Sequence, residues 1–112
     1  MARIRIDRSV PVAMRDGVVL RADVWRPDDD RPRPAVLTRT PYGRAASEHG
    51  FLRPWDCLDA GYAFVIQDCR GHGESEGEWG LLDGSVEGPD GHDSVEWTAS
   101  QDWCDGNVVM AG

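Results

Sequence analysis

YAFVIQDCRGHGESEG, residues 62–77, decides how the chain is read. Its first seven residues form an almost uninterrupted apolar run. A strand with one wet face alternates apolar and polar residues, so this composition predicts a strand covered on both faces. The nine residues that follow hold three glycines and no apolar period, which predicts a loop. A strand covered on both faces needs helices above and below it, and such helices are found on either side in the sequence. Upstream, Pro54 suits a first helical turn, Trp55, Leu58 and Asp59 lie on successive turns, and Gly61 is placed to end the helix. Downstream, DGHDSVEWTASQDW (90–103) has helical spacing, with His92, Val95 and Ala99 on one stripe and an end near Gly106.

Further out, AVLTRTPYG (35–43) predicts a strand from Ala35 to about Thr40, broken by Pro41, and NVVM (107–110) predicts another buried strand after an Asp-Gly turn. Ser9 to Arg26 reads as a hairpin around Asp16-Gly17. In it Leu20, Ala22 and Val24 alternate with Val19, Arg21 and Asp23, the period of a strand with one buried face. RPDDDRPRP (26–34) is a loop. After the hairpin the order is strand, helix, strand, loop, helix, strand. That alternation predicts an α/β sheet with parallel neighbours joined by helical crossovers. Residues 1–112 read as a portion of one domain, without repeat or internal boundary.

Composition bounds the function. Residues 1–53 carry eleven arginines against seven acids, whereas residues 54–112 carry Arg70 alone against thirteen acids. Phosphates are repelled by such an acidic half, which excludes a nucleic-acid groove. No apolar run approaches a membrane span, and MARIRIDRSV lacks the apolar core of a signal peptide. Cys57, Cys69 and Cys104 are odd in number and widely spaced, fitting neither a disulfide framework nor a paired zinc site. A reducing, cytoplasmic setting is the expectation, with no metal and no cofactor.

The glycines of DCRGHGESEG invite comparison with a dinucleotide loop. In that fingerprint G-x-G-x-x-G opens a helix at once. Here Gly77 comes one residue late, EWGLLDGS follows, and Glu74, Glu76 and Glu78 would face a pyrophosphate with like charge. Nucleotide binding is set aside.

Asp-x-Arg-Gly-x-Gly-x-Ser after a buried strand instead resembles the loop after the fourth strand of α/β-hydrolases. Extended to DCRGHGESEGEW, and joined in order to RTPYGR and HDSVEWTASQDWCDGNVVMAG, it resembles the CocE/NonD hydrolases of the X-Pro dipeptidyl-peptidase (S15) group. The resemblance runs from Met14 to Gly112. It implies the N-terminal part of an α/β-hydrolase fold and a serine hydrolase acting on a small ester, amide or peptide through an acyl-enzyme. In that fold a G-x-S-x-G elbow delivers the nucleophile on a strained strand-to-helix turn. By resemblance NVVMAG feeds that elbow and Gly112 is its first glycine, so the serine, and the acid and histidine that follow it, are expected beyond the sequence given.

What the resemblance leaves of the site is Tyr42. Acyl transfer passes through a tetrahedral oxyanion, which needs donors fixed where the charge develops. From the residues alone, Tyr42 is either a ring packed under a loop or such a donor. The resemblance implies the donor, a phenol that keeps its proton at neutral pH. The triad order Ser, acid, His excludes His49, His72 and His92 as the base. No H-x-x-x-H spacing joins them as metal ligands, and His92 reads as packing on its stripe. Asp68 and Arg70 read as an ion pair bracing the glycine loop, and Cys69 as a structural thiol. Trp55, Trp97 and Trp103 read as packing, and Trp79 as packing or a pocket wall. Gly43 and Arg44 put no acid next to Tyr42, which leaves Glu78 or Asp83 as carboxylates that could hold a substrate amine. A rival reading is a non-catalytic piece that works by association with a complementing chain, because a last strand at 107–110 leaves one sheet edge unpaired.

Overall fold

In the computed structural model, which describes residues 3–48, 52–77 and 84–111, the chain runs β1 (Ile4–Ala13), β2 (Val19–Pro27), β3 (Arg33–Thr40), α1 (Arg44–Ser47), α2 (Pro54–Asp59), β4 (Ala63–Asp68), α3 (Gly84–Ala99) and β5 (Cys104–Met110). The sheet order is β1-β2-β4-β3-β5. β4 lies parallel to β3 and antiparallel to β2, while β5 lies parallel to the far side of β3.

The apolar run 63–68 forms β4, and every one of its residues is buried. Its period-2 geometry divides them between two layers. Val65 joins Val12, Leu20, Ala22, Val24 and Leu37 on the face that receives Val95 and Trp97 of α3. Phe64 and Ile66 join Trp25 and Val36 on the face covered by Cys57 and Leu58 of α2. Burying side chains of this size stabilises by about 1.5–3 kcal/mol each, so the two-sided burial of β4 anchors the sheet. The predicted α/β architecture is present. Among the described residues, no helix is long and apolar enough to cross a membrane.

The structure differs from the sequence reading at several places, and α3 begins at Gly84, inside the stretch expected as loop, and ends at Ala99 rather than near Gly106. The hairpin begins at Ile4, and its first strand is bulged: Asp7 pairs with Val24 and Val10 with Ala22, so Arg8 and Ser9 together oppose Asp23. The extra residue turns the strand over, putting Ile6 opposite Trp25 on one face and Val12 opposite Leu20 on the other. Asp23 therefore does not face solvent. It is buried, and its carboxylate accepts the Ser9 N–H at 2.9 Å and an Arg8 N–H at 2.9 Å.

The buried row of α3 is Asp90, Ser94 and Thr98, not His92, Val95 and Ala99. Buried polar atoms without partners are costly, and here they have partners. Ser94 Oγ, with a single proton to donate, lies 2.7 Å from Asp90 O and 2.9 Å from Gln67 Oε1, and Thr98 Oγ1 donates to Ser94 O at 2.8 Å. His92 sits outside this row, its side chain 64% exposed and 3.6 Å from Glu96.

β5 starts at Cys104, three residues before the predicted strand, and Asp105 Oδ1 accepts the Asn107 N–H inside it at 3.0 Å. It is an edge strand among the described residues, and Val109 and Met110 are about half exposed rather than buried. β3 likewise begins earlier, at Arg33.

Candidate active site

β3, β4 and β5 are parallel, so their C-terminal ends reach the same rim of the sheet. In open α/β sheets the crevice outside these carboxyl ends is where ligands bind. Tyr42 stands two residues beyond β3, the glycine loop follows β4, and Ala111 follows β5 with its N–H donated to Leu37 O at 3.0 Å. The segment before Tyr42 is fixed by three bonds at buried Thr40. Its carbonyl accepts the Cys69 N–H at 2.9 Å, its Oγ1 accepts the Tyr42 N–H at 3.0 Å, and Oγ1 lies 2.7 Å from Ser47 Oγ. Tyr42 itself is 83% exposed, so the ring is not packed under a loop.

The glycine loop is laid along β2. β2 pairs with β4 only over Ala22–Trp25, which leaves positions 19 and 21 open on that side. Glu76 N–H donates to Val19 O at 3.0 Å, and Glu76 Oε1 accepts the Val19 N–H at 3.0 Å. Ser75 Oγ accepts the Arg21 N–H at 2.8 Å and donates to Asp68 O at 2.7 Å. Backbone groups left over by the sheet are thus used to hold the loop.

Behind Tyr42 lies a buried ion cluster. The Arg44 guanidinium, 9% exposed, places Nε 3.1 Å from Asp68 and Nη1 3.2 Å from Asp23, with Nη2 against Glu74. Arg8 joins Asp23 to Glu48, at 2.9 and 2.5 Å. Three acids therefore converge on the residue two beyond Tyr42, although its sequence neighbours offer none. This corrects the pairing of Asp68 with Arg70. Asp68 takes Arg44 and the Glu74 N–H at 3.1 Å, while Arg70 takes Asp90 at 2.7 Å and Asp16 at 3.0 Å. The only sequence signal for Asp23 is an acid between Ala22 and Val24 in a buried strand. Arg44 closes the RTPYGR motif, but nothing in the spacing marks its partners.

The remaining expectations fall as follows. No metal-binding group of three His, Cys, Asp or Glu exists among the described residues. Cys57, Cys69 and Cys104 are buried and unbridged, and desolvation raises the Cys57 thiol above its ordinary value. Trp55 is half exposed, with its ring edge-on to Trp25 at 5.5 Å, and Trp97 and Trp103 form a similar pair at 6.4 Å. His49, Glu78, Trp79, Asp83 and Gly112 lie outside the described residues.

The rim geometry can be set beside known proteins. The X-Pro dipeptidyl-peptidase (S15 family) sequence model matches residues 16–112. Cocaine esterase from Rhodococcus sp. (strain MB1 Bresler) is 42% identical over 107 residues, covering 93% of this chain and 18% of that protein. Among solved structures, an α-amino acid ester hydrolase superposes with a TM-score of 0.80 at 29% identity, over 97% of this chain and 21% of its own. A CocE/NonD family hydrolase from Staphylococcus aureus superposes with a TM-score of 0.88 at 24% identity, over 97% and 23%. The chain spans about a fifth of the length of the curated relatives it matches. It belongs to the X-Pro dipeptidyl-peptidase (S15) family, and its sheet is the N-terminal part of an α/β-hydrolase fold.

Proposed function

We propose that this chain forms the N-terminal part of a serine hydrolase that cleaves an ester or amide through an acyl-enzyme, with the Tyr42 hydroxyl as one donor to the oxyanion. In this reading β5 leads into the nucleophile elbow, and the serine attacks the carbonyl carbon. A histidine oriented by an acid takes the serine proton and later returns it to the leaving group. The carbonyl oxygen becomes an oxyanion, held by the backbone N–H after the serine and by the phenol. The names of two relatives, a cocaine esterase and an α-amino acid ester hydrolase, support ester cleavage.

The observation that carries the role of Tyr42 is the contrast between its backbone and its ring. The backbone is fixed through Thr40, while the phenol projects unpacked at the rim shared with the end of β5. A donor whose backbone is fixed in advance has less to reorganise when charge develops. Because charge appears only in the transition state, losing the donor lowers kcat and leaves KM nearly unchanged. In the full-length protein, Tyr42→Phe is expected to lower kcat on an activated ester by about 10²–10³-fold. An unchanged kcat removes Tyr42 from the oxyanion site.

A further inference from the structure

We infer that Arg44 is a positioning residue for Tyr42, its ion cluster holding the turn that presents the phenol; this rests on the oxyanion reading of Tyr42. The turn is secured before Tyr42 by Thr40 and has to be secured after it as well. α1 is the element that follows, but it has four residues and no side-chain hydrogen bond at its N-cap. One helical turn is marginal on its own, and the 2.7 Å contact of Ser47 Oγ with Thr40 Oγ1 secures only its far end. What holds its first residue is the side chain of Arg44.

That side chain is tied to parts of the sheet that are themselves fixed. Asp23 belongs to β2 and is held by the Ser9 N–H of the β1 bulge. Asp68 ends β4, and Glu74 lies in the glycine loop, with its N–H on the same Asp68 carboxylate. A planar guanidinium reaches these three carboxylates through three different nitrogens. An ammonium is a compact point charge and cannot reproduce that fork. Arg44→Lys therefore keeps a cation among the acids but loosens the geometry, whereas an apolar residue would leave Asp68 buried without its ion pair and Asp23 with Arg8 alone.

The test is a double-mutant comparison in the full-length protein with an activated ester, alongside thermal unfolding of each variant. Arg44→Lys is expected to lower kcat about tenfold with KM held within about twofold, because small misplacements of a catalytic group are costly. In a Tyr42→Phe background the same substitution is expected to cost nothing further, because the two residues act as a unit. A purely structural role for Arg44 would lower activity equally in both backgrounds. Equal losses, a change in KM alone, or no change in kcat overturns the inference. If Arg44→Lys does not fold, Glu74→Ala replaces it, since that side chain is 64% exposed and removable. The expectation is then a loss of about threefold in kcat, again absent in the Tyr42→Phe background. A Tyr42→Phe protein with full kcat sinks the oxyanion reading itself, whatever Arg44→Lys does.

Discussion

Arg70 grips Asp90 through two hydrogen bonds, 2.8 Å from Nε to Oδ2 and 2.7 Å from Nη2 to Oδ1. Asp90 lies on the buried row of α3, with 2% of its side chain exposed, and Arg70 also reaches Asp16 of the hairpin turn at 3.0 Å. One guanidinium thus joins the glycine loop, the crossover helix and the first turn of the chain. Hydrogen bonding to Asp90, and then to Asp16, raises the Arg70 pKa further above its ordinary value, against the cost of burial.

Removing Arg70 alone would leave Asp90 as an uncompensated buried charge. Arg70→Met is therefore expected to destabilise by about 3–5 kcal/mol in urea unfolding of the full-length protein. Adding Asp90→Leu is expected to restore much of the loss, because an apolar pair of similar volume carries no desolvation penalty. An Arg70→Met protein as stable as the parent would show that Asp90 finds water or another partner.

This arrangement also shows what the sequence discloses. The β4 run, the Asp16-Gly17 turn and the Pro54 helix start are local signals, and each produced its element where expected. Asp68 and Arg70 are also local neighbours, and residues two apart share a face only while a strand continues, but β4 ends at Asp68 and the chain turns there. Each finds a partner far away in sequence, Arg44 for one and Asp90 for the other. The α3 stripe misled for a related reason. A purely apolar pattern passes over Asp90, Ser94 and Thr98, because their burial depends on Gln67 and Arg70 arriving from the sheet side. The bulge at Arg8 and Ser9 has no composition signal; it exists because Asp23 captures the Ser9 N–H. The turn that carries Tyr42 is legible from the strand broken at Pro41, whereas the cluster around Arg44 depends on contacts made only once the sheet has formed.

A second tie between the hairpin turn and α3 gives stability a pH dependence. The Arg15 side chain donates to Asp93, and so does the Arg15 backbone N–H at 2.9 Å. These bonds hold the Asp93 carboxyl down at about 2. In the unfolded chain it titrates near 3.9, at about the ordinary value. A carboxylate with a depressed folded pKa stabilises above the unfolded value, and loses that contribution as pH falls through the folded one. The stability difference between the parent and Asp93→Asn is expected to be flat above about pH 5 and to fall progressively to its floor at about pH 1. It should also shrink with added salt, because the Arg15 side chain is 57% exposed. A difference that widens on acidification would contradict the pairing.

The glycine loop supplies the sharpest steric case. Gly73 has φ +52°, and a Cβ built there would overlap the Asp68 carboxylate. Gly17, in the hairpin turn, has φ +87° but nothing within 4 Å of such a Cβ. Alanine at either position carries the backbone strain of a positive φ, about 1–2 kcal/mol. Only Gly73→Ala also pushes against the oxygen that accepts from Glu74 N–H and lies 3.1 Å from Arg44 Nε. Weakening a buried carboxylate's bonds adds about 1–3 kcal/mol, so Gly73→Ala is expected to cost clearly more than Gly17→Ala in denaturant unfolding. Equal costs for the two would mean that the loop slides off Asp68 freely, and the tight seating of the glycine loop on the end of β4 would have to be given up. If the seating holds, Gly73→Ala should also lower kcat, since the carboxylate it displaces is one of the three that fix Arg44.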